Sequence, residues 1–207
     1  LAGTKTEQAI DNWREMHDSA IFIGHAYYSV FRYGIICYNV TMKGQDIAIL
    51  VKTIILENKS WTTTQLATEL NISQSEVSKA LTRLAFSGLL DESKRHPARR
   101  SIYDLLVNSI KFIIPVKPGR VVKGIPTAHS AEPLKDKIIS DLNYVWPSAK
   151  GTMRGEGIEP LYPNLSKSVG GDKKFHEFMA LIDVLRVGKV REVEIAKTEL
   201  KKRIIDE

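Results

Sequence analysis

From residue 44 onward, apolar positions recur at three- and four-residue steps along much of the chain, the period of a helix with one buried face. In "GQDIAILVKTIILEN" the stripe is Ile47, Leu50, Val51, Ile54 and Ile55, and Asn58 and Lys59 end it. A second helix starts after Trp61. Thr62 and Gln65 have capping-box spacing, Trp61 and Leu66 stand at the staple positions around it, and Leu66, Ala67 and Leu70 face inward. The same start signals return at once: Ser73 with Glu76 as a box, Ile72 with Val77 as a staple. Val77, Ala80, Leu81 and Leu84 then line a third helix over 73–87, with Gly88 where a left-handed cap would stop it. "SIYDLLVNSIKFII" predicts a fourth through Ile102, Leu105, Leu106, Ile110 and Ile113, with Pro97 suited to its first turn.

Between 114 and 171 the pattern changes. Residues 115–171 hold seven of the eight prolines and seven of the thirteen glycines, which predicts an irregular arm without long elements. Val121, Val122, Ile125, Tyr144, Trp146, Leu161, Tyr162 and Leu165 are too apolar for a free linker, so the arm should pack on a core or a partner, with a short helix at 133–143. Helical periodicity resumes over 172–207. Phe175, Phe178, Met179, Ile182 and Leu185 share one face, and Val190, Val193, Ala196, Leu200 and Ile204 continue it beyond Gly188, as two helices or one kinked helix. The expected fold is mainly α: a helix-turn-helix domain over 42–113 with a short or absent wing, a Pro/Gly-rich irregular arm, and C-terminal helices offering a dimer or partner surface.

The first 41 residues differ from the rest. They carry seven of the chain's sixteen aromatics, and Lys5, Arg14 and Arg32 stand against Glu7, Asp11, Glu15 and Asp18, a net of −1, so the remainder carries +7 and the chain +6 overall. Residues 20–40 are apolar, but Gly24, His25, Arg32 and Gly34 interrupt the roughly 20 clean apolar residues a membrane span requires. The run is not expected to be a secretory signal, since it lacks a basic n-region and a small-residue cleavage site. Met42 stands directly before the first periodic helix, so one expectation is that 1–41 is an atypical extension upstream of a natural start at Met42. The lone Cys37 supplies neither a disulfide framework nor a multi-thiolate zinc site and fits a reducing, cytoplasmic setting.

Candidate chemistry concentrates beside the third helix. With its stripe inward, the opposite face presents Gln74, Ser75, Ser78, Lys79, Thr82 and Arg83. Gln can pair with the N6/N7 edge of adenine, Ser and Thr with bases or phosphates, and Lys with guanine or phosphate. The following "SKRHPARR" adds Lys94, Arg95, Arg99 and Arg100 with no acid among them, a composition suited to phosphate contacts that displace counterions.

The stretch "TTTQLATELNISQSEVSKALTRLAFSGLL" resembles the DNA-binding segment of MarR-type and related winged helix-turn-helix regulators over about residues 45–92. The likeness rests on Leu66–Ala67, the Leu70–Asn71–Ile72 turn, Ser73 through Ser78, and Leu81, Leu84, Gly88 and Leu89. It implies a recognition helix in the major groove, a homodimer, and transcriptional regulation. One departure from the family is the expected return strand of the wing, which reads here as the fourth helix. Beyond residue 92, "RVVKGIPT" and "VWPSAKGTMRG" give the chain a resemblance to compact bacterial helix-turn-helix proteins found within toxin–antitoxin or defence modules. The alternative is therefore an adaptor or antitoxin-like partner that holds a protein through 115–171 or 172–205.

Enzyme chemistry finds no foothold in the sequence. It contains no G-x-x-x-x-G-K-[ST] loop, no complete G-x-G-x-x-G, no G-x-S-x-G elbow and no histidine pair at ligand spacing. Gly155-Glu156-Gly157 and Gly170-Gly171-Asp172-Lys173 read as turns. The expectation is a protein that is not an enzyme, with no cofactor and no metal, whose partners are double-stranded DNA and a second copy of itself rather than a membrane.

Overall fold

The computed structural model describes residues 22–23, 26–31, 34–38, 41–57 and 59–206. The chain divides into two compact units, Leu1–Met42 and Lys43–Glu207. Within the first, β1 (Phe22–Ile23), β2 (Ala26–Phe31) and β3 (Gly34–Tyr38) form an antiparallel meander, with Phe22 opposite Tyr27 and Tyr28 opposite Cys37. The expectations for residues 1–21 lie outside the described residues.

The second unit is predominantly helical and is built around α1 (Gly44–Ile55). Every residue of this helix from Asp46 through Ile54 is buried, so it is a central rod rather than the one-faced helix its apolar stripe predicts. The second face carries Asp46, Lys52 and Thr53, and each has found a partner. Asp46 accepts from the Lys43 amide at 3.0 Å and from the Arg83 guanidinium at 3.0 and 2.6 Å. Lys52 donates to Glu69 and to Asp172, both at 2.7 Å. The Thr53 hydroxyl returns to the Leu50 carbonyl at 2.7 Å.

α2 (Thr63–Leu70) and α3 (Gln74–Phe86) are joined by the turn 71–73. Their caps form at the predicted residues: the Thr62 hydroxyl accepts from the Gln65 amide at 3.0 Å, and the Ser73 hydroxyl from the Glu76 amide at 3.2 Å. The reciprocal halves of both boxes do not form. Gln65 turns to Glu69 at 2.8 Å and Glu76 accepts from Gln45 at 2.8 Å, because exposed amide and carboxylate groups found stronger side-chain partners. Asn71 makes the sharp turn at φ 51°, and Gly88 ends α3 at φ 70°, the left-handed stop expected of it.

A single antiparallel bridge, Leu90 to Pro97, closes the loop 91–96 that follows. Where a wing's second strand would stand, α4 (Arg99–Ile113) begins, with Ala98 at its N-cap. Pro97 therefore lies ahead of the helix in the bridge, not in the first turn. Ile102, Leu106 and Ile110 are buried, whereas Ile113 at the helix end is 41% exposed.

The segment after α4 corrects the expected irregular arm. It contains β4 (Val121–Pro126), β5 (Tyr144–Pro147) and β6 (Met153–Gly157). The first half of β4 pairs antiparallel with β6 and the second half with β5, while β5 and β6 pair in parallel, so the three strands close on one another. Glycine makes this tightness possible: a Cβ on Gly124 would lie 2.2 Å from the Trp146 carbonyl oxygen, and one on Gly155 2.4 Å from that of Asn143. The helix expected at 133–143 is absent. Turns occupy 132–137, and Ser140 bonds the Leu142 carbonyl at 3.0 Å, local bonding that competes with helix.

After α5 (Leu165–Ser168), α6 (Lys173–Val187) starts on Asp172, whose carboxylate accepts from the Phe175 amide at 2.9 Å. The extended backbone of Gly188 separates it from α7 (Val190–Lys201), which continues into a π-helical turn, Lys202–Asp206, so two helices form rather than one kinked one. The apolar stripe of these helices packs within the chain: Phe175, Phe178, Met179, Ile182, Leu185, Ala196, Leu200 and Ile204 are buried, Val193 is half-buried, and Val190, at the start of α7, is exposed. Asp183 ties the strands to α6 by accepting from Thr127 at 2.8 Å, Trp146 at 2.6 Å and Arg186 at 2.6 Å.

Lys52→Ala should lower unfolding stability by about 2–3 kcal/mol in chemical denaturation. That is the low end for breaking a buried pair, since the carboxylates left behind keep some water. Burial is the largest single influence on the Glu69 and Asp172 carboxyls and pushes both upward, but the hydrogen bond and charge of Lys52, together with Gln65 at Glu69 and the Phe175 and Lys174 amides at Asp172, outweigh it, and both titrate below their ordinary 4.5 and 3.8. Their contribution is thus complete above that range and is lost as pH falls through the lowered values, and Lys52→Ala should flatten this acid limb.

Candidate nucleic-acid interface

The solvent face of α3 is set by its own geometry. With Val77, Ala80, Leu81 and Leu84 buried, positions 74, 75, 78, 79 and 82 share the opposite side, and all five side chains are exposed. The side chains of Gln74, Ser75 and Ser78 bond to no described residue. Lys79 is 64% exposed and lies 3.6 Å from Glu76, a loose pair that leaves its ammonium available. The Thr82 hydroxyl donates to the Ser78 carbonyl at 3.1 Å and accepts from Lys94 at 2.9 Å, which brings the loop cation onto the helix face.

Arg83 stands apart from this set. It grips Asp46 with two hydrogen bonds, and Asp46 is only 1% exposed, so the guanidinium is a strut between α3 and α1. The hydrogen bond to Asp46 raises its pKa further. Arg99 is likewise committed: it meets Glu57 at 2.8 and 2.6 Å and donates to the Ile204 carbonyl at 2.7 Å, which fastens the start of α4 to the end of α1 and to the C-terminal turn. Neither is free to meet a ligand, and both leave the expected site. No local sequence signal marks them, because their partners lie 37, 42 and 105 residues away.

The loop 91–96 is organised by one carboxylate. Asp91 accepts from the Ser93 hydroxyl at 2.6 Å and from the amides of Arg95 and His96 at 2.9 and 3.0 Å. The Ser93 hydrogen bond leads these in holding its pKa down, from an ordinary 3.8 to about 2. Lys94 adopts φ 62°, which turns the chain back toward the bridge. Arg95 stacks 4.0 Å from the Trp61 ring and donates to the Trp61 carbonyl at 2.6 Å, so its charge is held at the surface in a fixed orientation. Arg100 is 74% exposed with one i, i+4 contact to Asp104 at 3.2 Å.

Two residues join this face that sequence reasoning missed. Glu76 sits between Gln45 at 2.8 Å and Lys43 at 3.8 Å, and the Gln45 hydrogen bond, then Lys43, lowers its pKa. Lys43 thus adds a cation beside α3, and Gln45 an amide. Both precede or begin α1, and nothing in their spacing points to α3. The surface that emerges combines Gln74, Ser75, Ser78, Lys79 and Thr82 with Lys43, Lys94, Arg95 and Arg100.

Among the described residues no three His, Cys, Asp or Glu side chains gather closely enough to hold a metal ion, and no helix is long and apolar enough to cross a membrane. Comparisons of the chain with protein-family models, with curated proteins and with solved structures found no match.

Arg83→Ala and Lys79→Ala should separate strut from free cation. The first should cost about 3–5 kcal/mol in denaturation, since it strands the buried Asp46, and the second less than about 0.5 kcal/mol. For the loop, an NMR titration should find the Asp91 carboxyl near 2, rising toward 3.8 in Ser93→Ala. Because the folded value is depressed, the loop should keep its amide protection at neutral pH and lose it only as pH falls from about 3.8 through about 2.

Proposed function

We propose that the chain binds double-stranded DNA, with α2 and α3 acting as a helix-turn-helix and α3 as the recognition helix of a transcriptional regulator. The observation that carries this reading is the uncovered face of α3. Its five side chains are short or amide-bearing with one cation, they project from a rigid, doubly anchored helix, and cations flank them on both sides. A helix of 13 residues is about 20 Å long, and its diameter of about 10–12 Å matches the roughly 12 Å width of the major groove in which it would lie.

The division of labour follows from chemistry. Gln74 offers the donor–acceptor pair that adenine's major-groove edge requires, and Lys79 reaches guanine or phosphate. Ser75, Ser78 and Thr82 serve base edges or backbone. Lys94, Arg95, Arg100 and Lys43 supply sequence-independent affinity to phosphates. The short loop 91–96 approaches a phosphate strand in place of a full wing, with Arg95 pre-oriented on Trp61 so that little side-chain freedom is lost on binding. Two copies would set two α3 helices about 34 Å apart along the duplex. The C-terminal stripe is buried in the chain itself, so such a dimer would use the outer faces of the helices over 172–205. We place the protein in the cytoplasm, where this DNA is met.

A second reading, an adaptor or antitoxin-like protein, draws on exposed apolar side chains away from α3. Phe112 is 71% exposed, Val190 82%, and Leu142 52%, enough to seat a protein partner. Co-purification separates the two: a stoichiometric protein favours the adaptor, and bound DNA fragments the regulator.

Lys79→Ala combined with Arg95→Ala should weaken duplex binding and make the slope of log affinity against log salt shallower by about 1.8, at roughly 0.9 for each phosphate no longer neutralised. Fluorescence anisotropy over a salt series reads this. An unchanged slope in a variant of wild-type stability removes α3 and its loop from the interface.

A further inference from the structure

The small closed sheet carries an unbalanced pair of charges. Lys123 on β4 and Arg154 on β6 are direct partners in the antiparallel register, so both project from the same side of the sheet, and both are exposed. Like charges directly opposite are destabilising. Neither makes an ion pair or a side-chain hydrogen bond with any described residue. Glu156 lies two positions along on the same face, opposite Val121, and pairs with neither. This is unlike the protein's other strongly placed cations, since Lys52, Arg83, Arg99, Arg186 and Arg203 are all matched by carboxylates. Lys150, in the turn that leads into β6, is a third exposed cation without a partner among the described residues, and the Ser148 amide beside it bonds the Lys123 carbonyl at 3.1 Å.

A chain of contacts links this cluster to the start of α3 within the same compact unit. Asn164 donates to the Asn71 carbonyl in the α2–α3 turn at 2.9 Å, and Asn71 reaches Ser168 at 3.3 Å. Lys167, exposed between them, bonds Asn164 at 3.1 Å. Gly170 and Gly171 follow, and they line a surface depression of about 530 Å³ together with Lys150, Thr152 and Lys173. From the turn that precedes α3, the surface passes Lys167 to this depression, where Lys150 and Lys173 stand with Asp172 and His176 and Lys173 lies 3.9 Å from Glu177, and it meets the strand pair through the turn that Ser148 ties to Lys123.

We infer that the exposed face of the β4–β6 pair is a second contact surface for the phosphate backbone of duplex DNA, continuing the track that begins at the N-terminus of α3. This rests on the reading of α3 given above and extends it. The partner is identified by charge: a regular polyanion relieves the Lys123–Arg154 repulsion and accepts all three cations at once. The cluster presents cations alone, and its assignment to phosphates makes the contact sequence-independent, adding affinity without preference.

The test uses the full chain with Lys123→Gln, Lys150→Gln and Arg154→Gln combined, and a control carrying Lys189→Gln, Arg191→Gln and Lys201→Gln, which removes the same charge from exposed positions at the two ends of α7. Both are measured against a long random-sequence duplex across a salt series, after thermal melts establish that they fold. The sheet variant should bind ten-fold or more weakly, with a salt slope shallower by about 2–3, and should keep whatever sequence preference the wild-type chain has. The control should hold the wild-type slope. A sheet variant indistinguishable from wild type, or a control equally impaired, overturns the sheet contact while leaving the α3 reading intact. A wild-type chain that binds no duplex overturns the α3 reading, and this inference with it.

Discussion

Two buried charges on one helix set the positions of everything packed around it. Asp46 and Lys52 lie on opposite ends of the second face of α1, and each reaches outward to a different neighbour: Asp46 to Arg83 on α3, Lys52 to Glu69 on α2 and to Asp172 at the start of α6. Ion pairs of this kind contribute little net stability compared with apolar residues in the same space, because desolvation offsets most of the attraction. The driving force comes instead from Ile47, Ile49, Leu50, Val51 and Ile54, each buried side chain worth about 1.5–3 kcal/mol. Apolar burial holds α1 in the centre, and the two charges fix which way its neighbours face. A helix rotated about its axis would strand a carboxylate or an ammonium in the core.

That orientation is what exposes the surface of α3. Arg83 fixes the helix from behind, near its C-terminal end, while the Asn71 turn is tied through Asn164 and Ser168 to the segment before α6. The face that remains has nothing of the second unit across it. The loop that follows is held by Asp91 and by the Arg95–Trp61 stack rather than by a hairpin. This arrangement keeps Lys94 close to α3, where it bonds Thr82, and holds Arg95 on Trp61.

Local signals were legible in the chain, and distant ones were not. Thr62, Ser73 and Gly88 act at ranges of three or four residues, and their roles can be read directly from spacing. The buried stripes of α2, α3 and α6 are equally local. The second face of α1 was hidden because Asp46, Lys52 and Thr53 look like ordinary polar positions until partners up to 120 residues away arrive. Arg83 and Arg99 resembled DNA contacts for the same reason. The strands β4–β6 were missed because their pairing is non-local and their glycines, which permit close backbone approach at 124 and 155, carry the same composition as a loop. Conversely, residues 133–143 look helical by pattern but begin after Pro133 and end among Ser140, Asp141 and Asn143, which favour turns.

Selection of bound duplexes from a random-sequence pool by the full chain, followed by sequencing, is the most direct measurement of whether α3 reads DNA. An enriched motif containing an adenine position that relaxes in Gln74→Ala is expected, since its amide supplies paired donor and acceptor groups to a base edge, whereas the Gln45 amide is engaged by Glu76. A pool that stays at its input composition after repeated rounds at physiological salt would contradict a sequence-reading role for this surface.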